Sequence, residues 1–290
     1  MKIKGTTKIT GVFGYPVSHS LSPVFQNAAF DSLSLDFVYI PFEVKPVFIK
    51  EAIEAIRFLN FRGINLTIPH KKDGYYLVDE LDEEAKQLKV VNTIKNEDGK
   101  LIGYITDGSG FVRSIKEDGK VELKNKNVYL LGAGGAGWAI SGAIVKEKIR
   151  KLLITNRTME KAIAIKNHLK ENFNFTSVEL IDFENRNGIN FQDIDIIINT
   201  TSVGMEEGDI VLIKEEKIKK NIFIYDIIYN RKTELIKTAE KLNLPHLNGL
   251  SMLVYQGAIS FEIWTGKKAP VEIMKKAIQD FTKRLLKKHN

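Results

Sequence analysis

The stretch Val128-Tyr129-Leu130-Leu131-Gly132-Ala133-Gly134-Gly135-Ala136-Gly137 decides the fold of this chain. Four consecutive apolar residues read as a strand buried on both faces. Gly132, Gly134 and Gly137 then stand in G-x-G-x-x-G spacing, and helical composition continues to about Lys148. In that context the first glycine makes a tight turn and the second lets backbone N–H groups approach a pyrophosphate. The third lets the helix pack closely on the strand, with its positive N-terminus aimed at the phosphates. A strand before the glycines and a helix after them make this a dinucleotide-binding signal rather than simple turn chemistry. From Val128 to Val145 no residue is charged, close to the roughly 18 residues that flag a membrane span. The glycines at 132, 134, 135, 137 and 142 argue instead for a buried strand feeding a buried helix.

Outward from this loop, the downstream chain keeps one rhythm. Strands are expected at Leu152 to Thr155, Ile194 to Ile198 and Ile222 to Ile227, with helices at Lys161 to Leu169 and Thr233 to Leu242. Continuous apolar strands separated by helices mean a parallel sheet covered on both faces, a Rossmann-type doubly wound α/β domain. Phe173 to Asn190 carries little signal. The first hundred residues alternate differently: a strand at Ile9 to Phe13, and a helix opened by Ser22 as N-cap with Pro23 behind it, running to about Leu33. A strand at Phe37 to Phe42, a helix at Val47 to Leu59 and a strand at Gly63 to Ile68 follow. Val91 to Ile94 and Leu101 to Ile105 form a hairpin around Asp98-Gly99. Two helices fill the chain from Leu250. At about 150 residues per domain, 290 residues suggest two domains.

An acidic residue about 20 positions after the glycine loop would bind the ribose 2′-hydroxyl of NAD. Here the strand end reads Ile154-Thr155-Asn156-Arg157-Thr158, with no carboxylate. Arg157 offers a charge-assisted pair to a 2′-phosphate, and Lys161, four residues on, shares its helix face. The expected cofactor is therefore NADP.

Composition narrows the chemistry. No cysteine is present, which removes disulfides, iron–sulfur clusters, thiolate zinc sites and a cysteine nucleophile. His19, His70, His168, His246 and His289 show no metal-ligand spacing, so no metal is expected. The net charge of +7 is spread along the chain. Its densest cluster, Lys283-Arg284-Leu285-Leu286-Lys287-Lys288, closes a helix whose dipole it offsets, so nucleic acid is not expected as a partner. The start, Met1-Lys2-Ile3-Lys4, has no apolar core of a signal peptide, and a cytoplasmic protein without a membrane partner is expected.

Outside the nucleotide half, polar clusters gather at strand ends and turns: Ser18-His19-Ser20-Leu21-Ser22-Pro23, Asn65-Leu66-Thr67-Ile68-Pro69-His70-Lys71, Val91-Asn92-Thr93 and Thr106-Asp107-Gly108. With Asp226-x-x-Tyr229, Asn199-Thr200-Thr201-Ser202-Val203-Gly204-Met205, Met252-Leu253-Val254-Tyr255-Gln256 and Phe261-x-x-Trp264-Thr265-Gly266, this order resembles the shikimate dehydrogenase family over nearly the whole chain. The resemblance implies NADP-dependent, reversible reduction of 3-dehydroshikimate to shikimate in aromatic amino-acid and chorismate biosynthesis. It implies a substrate-binding domain of residues 1–108 and 250–290 around a nucleotide domain of residues 109–249, with catalysis in the cleft between them. Carried over by position, Ser20, Ser22 and Tyr229 bind the substrate carboxylate. Thr67, Lys71, Asn92, Asp107 and Gln256 hold the ring hydroxyls. Gly132, Gly134, Gly135, Ala136, Gly137, Asn156, Arg157, Thr158, Lys161, Thr201, Gly249 and Met252 take the cofactor.

Lys71 and Asp107 are the implied catalytic pair. A proton must reach the carbonyl oxygen while hydride reaches the carbon, and the nicotinamide cannot carry that proton. A lysine beside a carboxylate stays an ammonium, which polarises a ketone and donates a proton. Three positions depart from the common family pattern: Ile105 stands for Asn, losing a polar contact before Asp107; Arg231 stands for Pro; and Ser251 stands for Gly beside the expected nicotinamide end. Two other readings stay open, a quinate/shikimate dehydrogenase using NAD and a non-catalytic NADP-binding regulator. A homodimer is compatible with the sequence.

Overall fold

The uncharged run after Asn127 folds as read, into a strand, a glycine turn and a helix, inside one of two units of a computed structural model that describes residues 2–219 and 221–288. One unit comprises Met1–Thr106 with Leu253–Asn290, the other Asp107–Met252. The division falls two residues before and three residues after the sequence-based limits of 108/109 and 249/250. Asp107 already opens a helix of the second unit, and the side chain of Met252 is buried in that unit's core.

The first unit begins β1 (Lys8–Gly14), α1 (Ser22–Ser32), β2 (Phe37–Glu43), α2 (Ile49–Phe58), β3 (Gly63–Leu66), α3 (Lys71–Leu77), β4 (Glu80–Leu81), α4 (Glu83–Leu88), β5 (Thr93–Glu97) and β6 (Lys100–Tyr104). Its mixed sheet runs β2-β1-β3-β5-β6-β4. Strands β1, β2 and β3 are parallel, and β5 runs antiparallel to β3 and β6. The β5–β6 turn places both Asp98 (φ 53°) and Gly99 (φ 91°) in the left-handed region, as a two-residue hairpin turn of matching twist demands. Helix α1 starts at Ser22, not after it: Leu21 is already helical and no side chain caps the end. The Ser22 N–H instead donates to Ser20 Oγ at 3.3 Å.

The second unit contributes α5 (Asp107–Glu117), β7 (Asn127–Leu131), α6 (Gly135–Lys146), β8 (Lys151–Thr155), α7 (Met159–Phe173), β9 (Val178–Ile181), β10 (Ile196–Asn199), β11 (Phe223–Asp226), α8 (Glu234–Lys241) and β12 (His246–Asn248). Its sheet is wholly parallel in the order β12-β11-β10-β7-β8-β9, the doubly wound arrangement. Side chains alternate between two apolar layers. Val128, Leu130, Leu152, Ile154, Ile196 and Ile198 face α5, α6 and α7; Tyr129, Leu131, Leu153, Ile197 and Ile224 face the other way. Helix α9 (Gly249–Thr265) leads back to the first unit, and α10 (Val271–Lys288) packs on α1. The basic cluster expected at the chain end lies in the last turns of α10; the side chains past Arg284, and His289, lie outside the described residues.

In the first unit Phe30 stacks on Phe37 at 5.0 Å and on Phe261 at 5.2 Å. Trp264, 1% exposed, donates its indole N–H to the Ile94 carbonyl at 3.0 Å. Its ring occupies the space a side chain at Gly63 would need: a Cβ there would lie 2.2 Å from Trp264 Nε1. Trp264→Ala should therefore cost about 3–5 kcal/mol, the range for deleting a buried aromatic, read as a lower urea midpoint by circular dichroism.

Candidate functional site

The nucleotide half is built by backbone geometry. The chain leaves β7 through Gly132 at φ +104°, where a Cβ would stand 2.8 Å from Thr200 Oγ1. At Gly137 a Cβ would stand 2.4 Å from the Gly132 carbonyl oxygen, so helix and strand approach as the sequence spacing required. Gly134 and Gly135 are exposed, with nothing within 4 Å of a Cβ built on either. Helix α6 begins there with no side-chain cap and no acidic residue in its first turn. Its first N–H groups, Ala136 among them, thus present a positive, sterically open cradle, and a diphosphate fits it. Trp138, in the same turn, lies with its ring 4.7 Å from that of His168 on α7.

Beside this cradle, Asn156 accepts from the Ala133 N–H at 2.9 Å and donates to the Thr158 carbonyl at 2.7 Å. Its carboxamide couples the glycine loop to the β8–α7 loop. Arg157, Thr158 and Lys161 are exposed, and strand β8 ends in Thr155 without a carboxylate; Glu160 is the acidic residue of the first turn of α7. Among the described residues Arg157 has no ion pair, so its exposed guanidinium could hold an anionic group.

Across the switch between β7 and β10, Asn199 and Asp226 are register partners at neighbouring strand ends. The Asp226 carboxylate accepts from Asn199 Nδ2 (3.0 Å), the Ile228 N–H (3.0 Å) and Thr233 Oγ1 (2.7 Å). Burial raises its pKa from the usual carboxylate value, and those three bonds oppose the rise. Thr201 uses its hydroxyl within the turn, donating to Asn199 Oδ1 at 2.7 Å and accepting from the Val203 N–H at 3.1 Å. Gly249 lies so close to β11 that a Cβ would come 1.7 Å from the Ile227 carbonyl oxygen. Met252 is 9% exposed, and Tyr229, past the end of β11, is 39% exposed. Asp107, half-buried, is the first residue of α5.

The first unit gathers the other expected residues around a buried polar lattice. Asn65, at the end of β3, accepts from the Tyr39 phenol at 2.8 Å. It donates to the Asn92 carbonyl (3.1 Å), Thr93 Oγ1 (2.9 Å) and Ser260 Oγ (3.0 Å). The same phenol meets the Ser22 hydroxyl, and burial raises its pKa strongly. Ser260 in turn donates to the Gln256 carbonyl at 3.1 Å, and Gln256 Nε2 donates to the Leu253 carbonyl at 2.9 Å. Thr67 is held by its N–H on the Phe13 carbonyl at 3.0 Å. Lys71, half-buried, opens α3, and its carbonyl accepts from the Val91 N–H at 2.9 Å, which brings it beside Asn92. Buried His70 places Nε2 2.8 Å from the Val44 carbonyl, whereas His19 is exposed.

Three family models match the chain: a shikimate dehydrogenase substrate binding domain over residues 12–94, a shikimate / quinate 5-dehydrogenase over 114–251 and a shikimate 5'-dehydrogenase C-terminal domain over 249–279. A shikimate dehydrogenase (NADP(+)) of Methanocaldococcus jannaschii is 42% identical over 96% of this chain and 98% of its own length. The chain belongs to the shikimate dehydrogenase family. A solved shikimate dehydrogenase in complex with NADP+ superposes with a TM-score of 0.89 at 41% identity, covering 96% of this chain and 97% of that one. A shikimate 5-dehydrogenase of Listeria monocytogenes, solved with shikimate and NAD, gives 0.90 at 34% identity, covering 96% and 98%.

Within this family member, Tyr39 and Ser260 are functional-lattice residues that the sequence motifs do not include, whereas Asn65, Thr93, Asn199 and Asp226 stand in the motifs without a role. Their signal was available: Asn65 and Asn199 are polar residues closing otherwise apolar strands, a placement that demands partners. The expected loss of a polar contact at Ile105 also finds its reason. That side chain is 3% exposed, in the apolar core. Ser251, expected as a plain departure, hydrogen-bonds the Asp118 carboxylate just past the end of α5.

The raised Asp226 pKa has a stability consequence. A carboxyl that holds its proton more tightly when folded contributes stability below its unfolded pKa of about 3.9 and loses it as pH rises through the folded value. Asp226→Asn removes that titration. The stability of wild type relative to Asp226→Asn should therefore fall as pH rises from about 4 through the folded pKa, measured as urea midpoints at a series of pH values.

Proposed function

We propose that this chain is an NADP-dependent oxidoreductase catalysing the reversible reduction of 3-dehydroshikimate to shikimate, a cytoplasmic step of aromatic amino-acid and chorismate biosynthesis. Family membership supports the reaction. The observation that carries the cofactor is the β8 end, where Arg157 is exposed and no carboxylate stands. Residues Asp107–Met252 act as the nucleotide domain and the two chain ends as the substrate domain.

The bound nicotinamide supplies the hydride in one direction and accepts it in the other. The protein's side chains bind, orient and move the proton. The uncapped first turn of α6, with Gly132, Gly134, Gly135, Ala136 and Gly137, holds the diphosphate. Asn156, Arg157, Thr158 and Lys161 form the 2′-phosphate side, and Thr201, Gly249 and Met252 shape the nicotinamide side. Ser20, Ser22 and Tyr229 bind the carboxylate; Thr67, Asn92 and Gln256 meet the ring hydroxyls. A polyhydroxylated ring calls for such convergent polar groups, because a site built to hydrogen-bond a hydroxyl rejects analogues that lack it. Lys71 polarises the ketone and donates a proton to its oxygen in reduction, and Asp107 is its partner in handling that proton. In oxidation the alcohol proton returns through the same pair.

Absorbance of the reduced nicotinamide, followed with shikimate and quinate crossed against NADP and NAD, tests the reading. Turnover with shikimate and NADP is expected. Turnover chiefly with quinate and NAD would identify the quinate branch, and silence in all four combinations a non-catalytic regulator. The outer edge of β2 in the first unit's sheet is compatible with pairing of two copies, and sedimentation measures whether they pair.

Lys71→Ala should lower turnover by about 10²–10⁴-fold, the range for a lost positioned acid or base, while NADPH binding persists in a fluorescence titration. Arg157→Ala should weaken NADP binding by about 1.5–3 kcal/mol, the range for a hydrogen bond to a charged group. The same substitution should leave NAD binding nearly unchanged; equal losses for both cofactors would make Arg157 a scaffold residue.

A further inference from the structure

We infer that Ser251 is a positioning residue for hydride transfer, tying the first turn of α9 through Asp118 to the helix that opens with Asp107; the inference rests on the reading of Gly249 and Met252 as nicotinamide contacts. Residues 107–252 all belong to the second unit. Ser251, buried, donates its hydroxyl proton to Asp118 Oδ2, since a carboxylate only accepts. The Asp118 N–H donates to the Ser114 carbonyl at 2.9 Å, so Asp118 continues the helical bonding of α5. Asp107, Phe111, Ser114 and Asp118 thus stand at i, i+4, i+7 and i+11, one stripe of that helix.

The stripe meets the same turn of α9 a second time, through Tyr225 on β11. The Phe111 ring lies 4.6 Å from that of Tyr225, and Ser114 Oγ is 2.6 Å from the phenol oxygen. Ser114 donates its single proton to the Phe111 carbonyl at 2.8 Å, so Tyr225 is the donor in that pair. The phenol oxygen then accepts from the Met252 N–H. Two more N–H groups of the turn are placed by the protein: Gly249 on the Ile228 carbonyl at 3.2 Å and Leu250 on Asn248 Oδ1 at 3.1 Å. Whereas α6 opens uncapped, this turn is pinned nearly residue by residue, and Ser251 supplies its link to the end of α5.

Reacting atoms must stand about 3–3.5 Å apart, and a misplacement of about 1 Å can cost roughly 10²-fold in rate. The α9 turn shapes the nicotinamide side, and α5 presents Asp107 at its first residue. A shift of one against the other separates the hydride donor from the group that handles the proton. The common family pattern has glycine at 251, with no hydroxyl to donate, so this tether belongs to the present chain.

The test follows single-turnover formation of NADPH from shikimate and NADP in full-length wild type, Ser251→Gly, Ser251→Ala, Asp118→Ala and the Ser251→Ala/Asp118→Ala double variant. Loss of one hydrogen bond to a charged group corresponds to a roughly 10-fold change at the low end of its range. The rate should fall about that much in both Ser251 variants, with NADP binding unchanged in a fluorescence titration. The double variant should be no slower than the slower single one, because both substitutions remove the same contact. Asp118→Asn, which keeps an acceptor, should recover most of the rate. A merely structural role would lower the melting temperature and leave the rate of the folded enzyme alone. A wild-type rate in either Ser251 variant, or losses that multiply in the double variant, would overturn the role of Ser251. The Ser251 variants decide the question alone where an Asp118 variant does not fold. Absence of shikimate turnover by wild type would overturn the functional reading, and this role with it.

Discussion

The meeting of Gly137 with the carbonyl of Gly132, too close for any side chain between them, is the constraint on which the second unit's chemistry depends. It sets where α6 begins relative to the end of β7, and so which N–H groups remain without an intrahelical acceptor. Thr200, arriving from β10, closes the other side of the turn by donating to the carbonyls of Leu131 (3.0 Å) and Gly132 (3.1 Å). A neighbouring strand thereby locks the loop at the point where the strand order reverses, the place such sheets bind ligands.

Both sheets change character at their carboxyl ends. β3 ends in Asn65-Leu66, β10 in Asn199 and β11 in Asp226, each polar residue buried. A buried polar group without partners costs about 1–3 kcal/mol, so each of these recruits loops that would otherwise drift. Asn65 draws in Tyr39, Thr93 and Ser260; Asp226 draws in the segments around Ile228 and Thr233. Such lattices hold side chains in one rotamer because every member's donors and acceptors are already matched.

Local pattern carried much of this. The glycine spacing, the apolar strands of the parallel sheet and the carboxylate-free end of β8 are all short-range features, and each lies where the sequence placed it. Short helices such as α3 and α4 escaped because charged segments of six or seven residues have no clear apolar period. Strand β9 escaped for the same reason, its pattern of buried and exposed residues spanning only four positions. The start of α1 slipped by one residue because Leu21 adopts helical angles that composition does not reveal. The lattice around Asn65 joins residues 26 to 195 positions apart, and such pairings follow from topology, which no local window contains.

The two tryptophans fall one to each unit. Trp264 is sealed in the aromatic core of the first, and Trp138 stands in the opening turn of α6 beside an imidazole. Each lobe therefore carries its own intrinsic fluorophore in a different dielectric setting. Emission from the more accessible indole is suited to following occupancy of the adjoining phosphate cradle, while the sealed one keeps watch on the integrity of its own half.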